Sequence, residues 1–232
     1  MGIGNQLKII SNAMLDIVYP NHCVICTVDL QLNERHICLN CLHDLPLIPQ
    51  NEATQLKLDQ LFWGRAQVNQ TYSLFNYQKG NQVQDVLRLI KYQQRTRFAQ
   101  YLGGKLAEQI PKSGGFDMIV PVPLHPKKKK LRGFNQSTLI AKGIQDIIQV
   151  PVNERLMKRV AHNPSQTTVS KYERWENVRD IFKVHKPSKL EGKHVLLVDD
   201  VLTTGATIEA CLKQLLSIEN CKVSVAALAV RI

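Results

Sequence analysis

Hydrophobic positions along the chain change period several times, and each change marks an element. From Thr71 to Tyr77 apolar and polar residues alternate, the period of a strand. Val83, Val86, Leu87 and Ile90 then recur at helical spacing, and the run from Phe98 to Ile110 reads as a second helix despite its Gly-Gly pair. Phe116 to Val120 forms a short apolar strand that Pro121 and Pro123 end. Leu139, Ile140 and Ile144 mark another helix. Four consecutive apolar residues, Val195 to Val198, predict a strand buried on both faces. Two carboxylates and a Thr-Thr-Gly turn follow it, and then Ile208, Cys211, Leu212, Leu215 and Leu216 lie on one helical face. The segment from Cys221 to Ile232 supplies the last strand. Strands alternating with helices predict an α/β fold, a mostly parallel sheet with helices on both faces.

The first sixty residues do not follow this pattern. Leu7, Ile10, Met14 and Ile17 or Val18 repeat at helical spacing, so an amino-terminal packing helix is expected rather than an export signal or a membrane-surface helix. Cys23-x-x-Cys26 and Cys38-x-x-Cys41 come next. Each short turn directs two sulfurs to one side, and two such turns surround a single Zn²⁺ tetrahedrally. A closed set of four thiolates implies a structural ion, and His22, His36 and His43 are then unnecessary as ligands. Pro46, Pro49 and a polar stretch end this module, which predicts domains at residues 1–60 and 61–232.

The turn after Val198 carries the most specific chemistry. Thr203, Thr204, Gly205 and Thr207 stand where a helix begins, so backbone N–H groups, hydroxyls and the helix dipole converge on a phosphate-sized anion. Asp199 and Asp200 lie at the carboxyl end of the strand, where ligands of open α/β sheets bind. Carboxylates repel a bare phosphate, so the ligand must also carry hydroxyls or a divalent cation. A sugar phosphate with Mg²⁺ meets both demands. Two further segments are cationic or polar: Pro121 to Gln136, with Lys127 to Lys130 and Arg132, and the stretch from Lys158 to Ile181, with Arg159, Gln166, Lys171 and Arg174. The first reads as a proline-stiffened loop entering a helix. The second is long for a loop in a compact domain and suits a lid.

Composition narrows the partners. The 232 residues are 44% hydrophobic, with a formal net charge of +11 and only 6% aromatic residues. The charge favours a polyanionic ligand, and the low aromatic content argues against an extended base-stacking platform. No apolar run approaches the roughly 20 residues of a membrane helix. Cysteines without an export signal fit a reducing, cytoplasmic setting. Monomer and dimer remain open.

The stretch from Val195 to Thr207 closely resembles the phosphoribosyl pyrophosphate (PRPP) motif of type I phosphoribosyltransferases. Together with the four-cysteine module, Ile90-Lys91-Tyr92, the Pro121 to Pro126 loop, Arg132 to Ser137 and the Gln166 loop, it resembles the ComF family, which joins a zinc module to a type I phosphoribosyltransferase domain. The resemblance implies that Asp199 and Asp200 hold the ribose hydroxyls directly or through Mg²⁺. It also implies substrate contacts along Val201, Leu202, Thr203, Thr204, Gly205, Ala206 and Thr207, and pyrophosphate contacts at Pro123, Leu124, His125 and Lys127. Arg132, Gln136, Arg159 and Gln166 complete the expected set. One departure is Asn163, where the family pattern has threonine. The family is linked to DNA uptake in transformation, which implies two alternatives. One is an enzyme transferring phosphoribose to an unnamed acceptor. The other is a non-catalytic PRPP-sensing or single-stranded-DNA-processing accessory of other competence proteins.

Overall fold

The computed structural model describes residues 22–92, 95–112, 114–160 and 181–232. The expected amino-terminal helix and the Gln166 loop, with Lys171 and Arg174, lie outside these residues. The chain divides into two compact units, Met1–Leu45 and Pro46–Ile232.

In the first unit the described residues form two turns around the cysteines and a short helix, α1 (Leu39–Asp44). Cys38 caps α1, its sulfur accepting from the Cys41 N–H, so the second Cys-x-x-Cys pair is a helix start. Glu34 ties the turn to that start by accepting from the Gln31 and Leu39 N–H groups at 2.8 and 2.7 Å.

The division after Leu45 falls earlier than the boundary expected near residue 60. The intervening segment belongs to the second unit for a physical reason. The Ile48 N–H bonds the Leu74 carbonyl, and α2 (Glu52–Gln60) buries Leu58. At its end, Asp59 accepts from the Thr71 N–H at 3.0 Å, at the start of β1 (Thr71–Asn76). The polar composition of 50–60 reflects the solvent-facing side of a helix rather than a linker.

Beyond β1 run α3 (Gln82–Tyr92), α4 (Thr96–Ala107), β2 (Met118–Pro121), α5 (Pro126–Arg132) and α6 (Gln136–Ile148). After them come β3 (Met157–Arg159), β4 (Phe182–Val184), β5 (His194–Leu202), α7 (Ala206–Leu216) and β6 (Lys222–Val230). A parallel sheet has the order β1-β6-β5-β2, and β3 and β4 form a separate antiparallel pair. Val195, Leu197, Val223 and Val225 point to one face, where Phe62, Phe182, Ile208, Leu212 and Leu215 cover them. Leu196 and Val198 are equally buried, and α6 packs on β5 and β2 while α4 packs on α6. No helix among the described residues is long and apolar enough to cross a membrane.

Two expectations change at this level. The lysine run is not loop: Pro126 opens a helix there, capped by His125, whose Nδ1 accepts from the Lys127 N–H. The strand expected at Val195 to Val198 is longer, because β6 continues to pair with it, Asp199 opposite Ala227 and Leu202 opposite Val230. The two acids therefore sit within β5, beyond the point where Pro121 ends β2 beside Val198.

Candidate functional site

The notch left where β2 stops and β5 continues is a cavity of about 190 Å³. Asp199, Asp200 and Thr207 line it from β5 and α7, and Pro123, Leu124, Lys128 and Arg132 from the segment after β2. Asn135, Gln136 and Ser137 at the start of α6, Arg159 of β3 and Lys91 of α3 close it. Six separate segments thus deliver side chains to one point.

Asp199 is 9% exposed and held by two donors, the Ser137 hydroxyl and the Asp200 N–H, each 2.9 Å from Oδ1. Burial, reinforced by the neighbouring charge of Asp200, pushes its carboxyl up to about 7. Asp200 instead meets a cation: its Oδ2 lies 2.9 Å from the Lys91 Nζ, with both side chains largely shielded. Tyr92, the next residue, carries Arg132 over its ring at 5.1 Å and accepts from Arg132 Nη2 at 3.4 Å. Gln136 is 2% exposed, and its Nε2 has no hydrogen-bond partner among the described residues. A buried amide donor facing a polar cavity is costly unless a ligand or water satisfies it.

Beside the acids, Thr203, Thr204 and Gly205 make the turn into α7. Gly205 caps the helix at φ +79°, a left-handed conformation that favours glycine there. Arg65 braces the turn from outside, donating from Nη1 to the Thr204 carbonyl at 3.2 Å and to the Glu209 carboxylate.

The residues expected from sequence therefore divide. Asp199, Asp200, Thr207, Pro123, Leu124, Arg132, Gln136 and Arg159 meet at the cavity. Thr203, Thr204, Gly205 and Ala206 form the adjoining turn and helix start. Val201 is a half-buried strand residue, and Leu202 is 3% exposed within the apolar core, its carbonyl bonded to the Arg231 N–H. Leu202 is thus a packing residue in this position. His125 is engaged as a cap and Lys127 is exposed; Lys128 is the lysine of the run that lines the cavity. Lys91, Asn135 and Ser137 lie outside the expected contact set. Lys91 figures in the resemblance only within the Ile90-Lys91-Tyr92 stretch, with no contact assigned to it; it occupies the last turn of an amphipathic helix. Ser137, a small polar residue on the buried side of α6, was a readable hint.

In the first unit, the sulfurs of Cys23, Cys26, Cys38 and Cys41 all lie within 4.8 Å of one another, with Cys26 and Cys38 3.7 Å apart. Tetrahedral ligation at a metal–sulfur distance of about 2.3 Å separates sulfurs by roughly 3.8 Å. The cluster fits such an ion. Burial opposes the Cys23 thiolate, but the backbone N–H groups of Cys26, Cys38 and Ile25 outweigh it and lower its pKa to about 6. Burial and the adjoining sulfurs push Cys41 upward. Neighbouring thiols resist shared ionisation until a cation joins them. None of the four is in a disulfide.

Residues 135–231 match the family model for the phosphoribosyl transferase domain. With the parallel sheet and the acid-bearing β5, this defines a domain of the type I phosphoribosyltransferase fold. Competence protein F of Haemophilus influenzae is 32% identical over 100 residues, 43% of this chain and 44% of that protein. DNA utilization protein YhgH of Escherichia coli K12 is 33% identical over 92 residues, 40% of each chain. Competence protein ComFC of Bacillus subtilis is 33% identical over 99 residues, 43% of this chain and 38% of that protein. The aligned part spans about half or less of these relatives. Over that part, the chain is similar to proteins named for competence and DNA utilization. Among solved structures, it is similar to the glutamine PRPP amidotransferase of Bacillus subtilis complexed with ADP and GMP, at 22% identity and TM-score 0.41 over 56% of this chain and 25% of that one. A hypothetical protein from Neisseria gonorrhoeae with bound ppGpp gives 23% identity and TM-score 0.37, covering 59% of this chain and 69% of that one.

Proposed function

We propose that the chain binds PRPP with Mg²⁺ in the cavity at the end of β5 and transfers its phosphoribosyl group to an acceptor. The carrying observation is the arrangement of charge: two acids stand between a helix-start turn and a group of cations made by Lys91, Lys128, Arg132 and Arg159. A ligand with hydroxyls at its centre and phosphates at both ends fits that sequence of groups. The turn from Thr203 to Thr207 cradles the 5′-phosphate with N–H groups and hydroxyls. Asp199 and Asp200 accept from the ribose hydroxyls, and the Gln136 amide gains the acceptor it lacks among the described residues. The two carboxylates are hard oxygen donors and suit a hard divalent cation, which would neutralise part of the pyrophosphate charge.

Transfer follows from the same charges. As the C1–oxygen bond of PRPP lengthens, positive charge develops on the ribose and negative charge on departing pyrophosphate. Preorganised Arg132, Arg159 and Lys128 stabilise the leaving group, while the acids orient the sugar.

The family setting gives this activity its context: the relatives are named for competence and DNA utilization. We place the chain in cytoplasmic handling of incoming DNA alongside competence proteins, its +11 charge favouring single-stranded DNA. The cysteine cluster holds structural Zn²⁺.

Calorimetric titration with PRPP, with and without Mg²⁺, tests the central claim. Wild type should bind, and a chain carrying both Asp199→Asn and Asp200→Asn should lose at least about tenfold in affinity. No heat with wild type removes the proposal. Acceptor-dependent release of pyrophosphate identifies an enzyme, and binding without release under any acceptor identifies a sensor.

A further inference from the structure

The Lys91–Asp200 pair is unlike the other ion pairs of this chain in where it stands. Its two side chains are 23% and 14% exposed, whereas in every other described pair at least one partner is more than 40% exposed. Both residues line the cavity. Asp199 is held by fixed donors, Ser137 and a backbone N–H, that can stay in place when a ligand arrives. Asp200 is held instead by a mobile ammonium on a four-carbon stem, which can change partner without movement of the backbone. A carboxylate this shielded needs a counter-charge, and removal of one partner would leave a buried charge uncompensated.

We propose that Lys91 is a resident counter-cation of the acid pair: it occupies the divalent-cation or ribose position on Asp200 until ligand enters, then transfers to the anionic oxygens of the incoming pyrophosphate. This inference rests on the PRPP reading above and adds how the acid pair is charge-balanced without ligand. Lys91 competes with Mg²⁺ when the site is empty and cooperates with it when PRPP is bound. The exchange conserves charge within the cavity, since the ammonium leaves one anion for another. Tyr92 supports it from the same helix end, because its ring and hydroxyl hold Arg132 at the cavity rim.

The test uses the full chain and two probes. In a calorimetric titration with MgCl₂ alone, Lys91→Met should bind Mg²⁺ at least about tenfold more tightly than wild type, as loss of a unit charge a few ångströms away predicts. In Mg²⁺-free buffer without a chelator, the same variant should bind PRPP about tenfold more weakly, having lost a charge-assisted contact. Equal or weaker Mg²⁺ binding by Lys91→Met, or no Mg²⁺ binding by either chain, overturns the inference. A second measurement keeps the wild-type residue: reductive ¹³C-methylation preserves the lysine charge, and the resonance absent from Lys91→Arg identifies Lys91. That resonance should shift on saturation with Mg²⁺ and PRPP, and one that stays fixed overturns the transfer. Absence of PRPP heat with wild type would fail the functional reading alone, and the Mg²⁺ comparison would then decide the counter-cation.

Discussion

Asp199 is a group whose chemistry works against the stability of the unliganded chain. Its carboxyl rises to about 7 because burial and Asp200 disfavour the charged form, whereas an unfolded aspartate titrates near about 3.9. Between these values the folded state binds more protons than the unfolded state, so this group's contribution to stability falls as pH rises from about 4 to about 7 and is level above. Asparagine keeps an oxygen for Ser137 and the Asp200 N–H but carries no charge. Asp199→Asn without added Mg²⁺ should therefore be more stable than wild type at pH 8, by on the order of 2 kcal/mol, with the difference vanishing near pH 4. Urea unfolding at both pH values checks this, and a pH-independent difference would contradict the assignment. The two acids were readable because they follow an apolar strand and precede a helix start. The roles of Lys91 and Asn135 were not, although both stand in stretches of the resemblance, since a single lysine or asparagine acquires its role only from what faces it across the fold. Asp200 identifies itself by its neighbours in sequence, and Lys91 by its neighbour in space.

Among the elements, α4 and α6 explain the Gly-Gly pair that weakens the helical pattern of α4. A Cβ at Gly103 would stand 2.2 Å from the Ile140 carbonyl oxygen, and one at Gly143 would stand 1.9 Å from that of Gln100. The helices approach backbone to backbone, and this close contact seats α6, whose first turn presents Gln136 and Ser137 to the cavity. Gly143→Ala should cost about 1–3 kcal/mol in denaturant unfolding, because backbone rather than a flexible side chain must move. Gly104→Ala meets its nearest atom at 3.8 Å and should be neutral or stabilising by up to about 1 kcal/mol. Equal effects from the two variants would refute the close-approach account. Element type was legible where the period was long, as in α3, whose buried residues are Val83, Val86, Leu87 and Ile90. It was obscured in the lysine run, where no apolar face exists and the His125 cap with Pro126 alone marks the helix. The brace from Arg65 to Thr204 and Glu209 was also hidden, since it joins segments far apart in the chain.

At the scale of the whole molecule, the two units obtain their stability differently. The core around β5 and β6 draws on residues from Ile48 to Val230, whereas the described residues of the first unit bury little beyond Cys23, Ile37, Cys38 and Leu45. So small a core needs a metal or another crosslink. The purified chain should carry one equivalent of zinc, and Cys38→Ser should lose it and expose residues 22–45 to protease while the cooperative melt of 46–232 persists. Unchanged zinc content in that variant would show that the ion is held elsewhere. The sequence by itself determined the α/β class, the cysteine set, the acid pair and the Thr-Thr-Gly turn into a helix, because each is written in contiguous residues whose spacing dictates local geometry. It did not determine where the units divide, since the helix at 52–60 looks polar until β1 lies beneath it. Only the tertiary structure decided which cations surround the acids and which amide lacks a partner. Those properties depend on six segments converging where β2 ends and β5 continues, and no local pattern encodes that meeting.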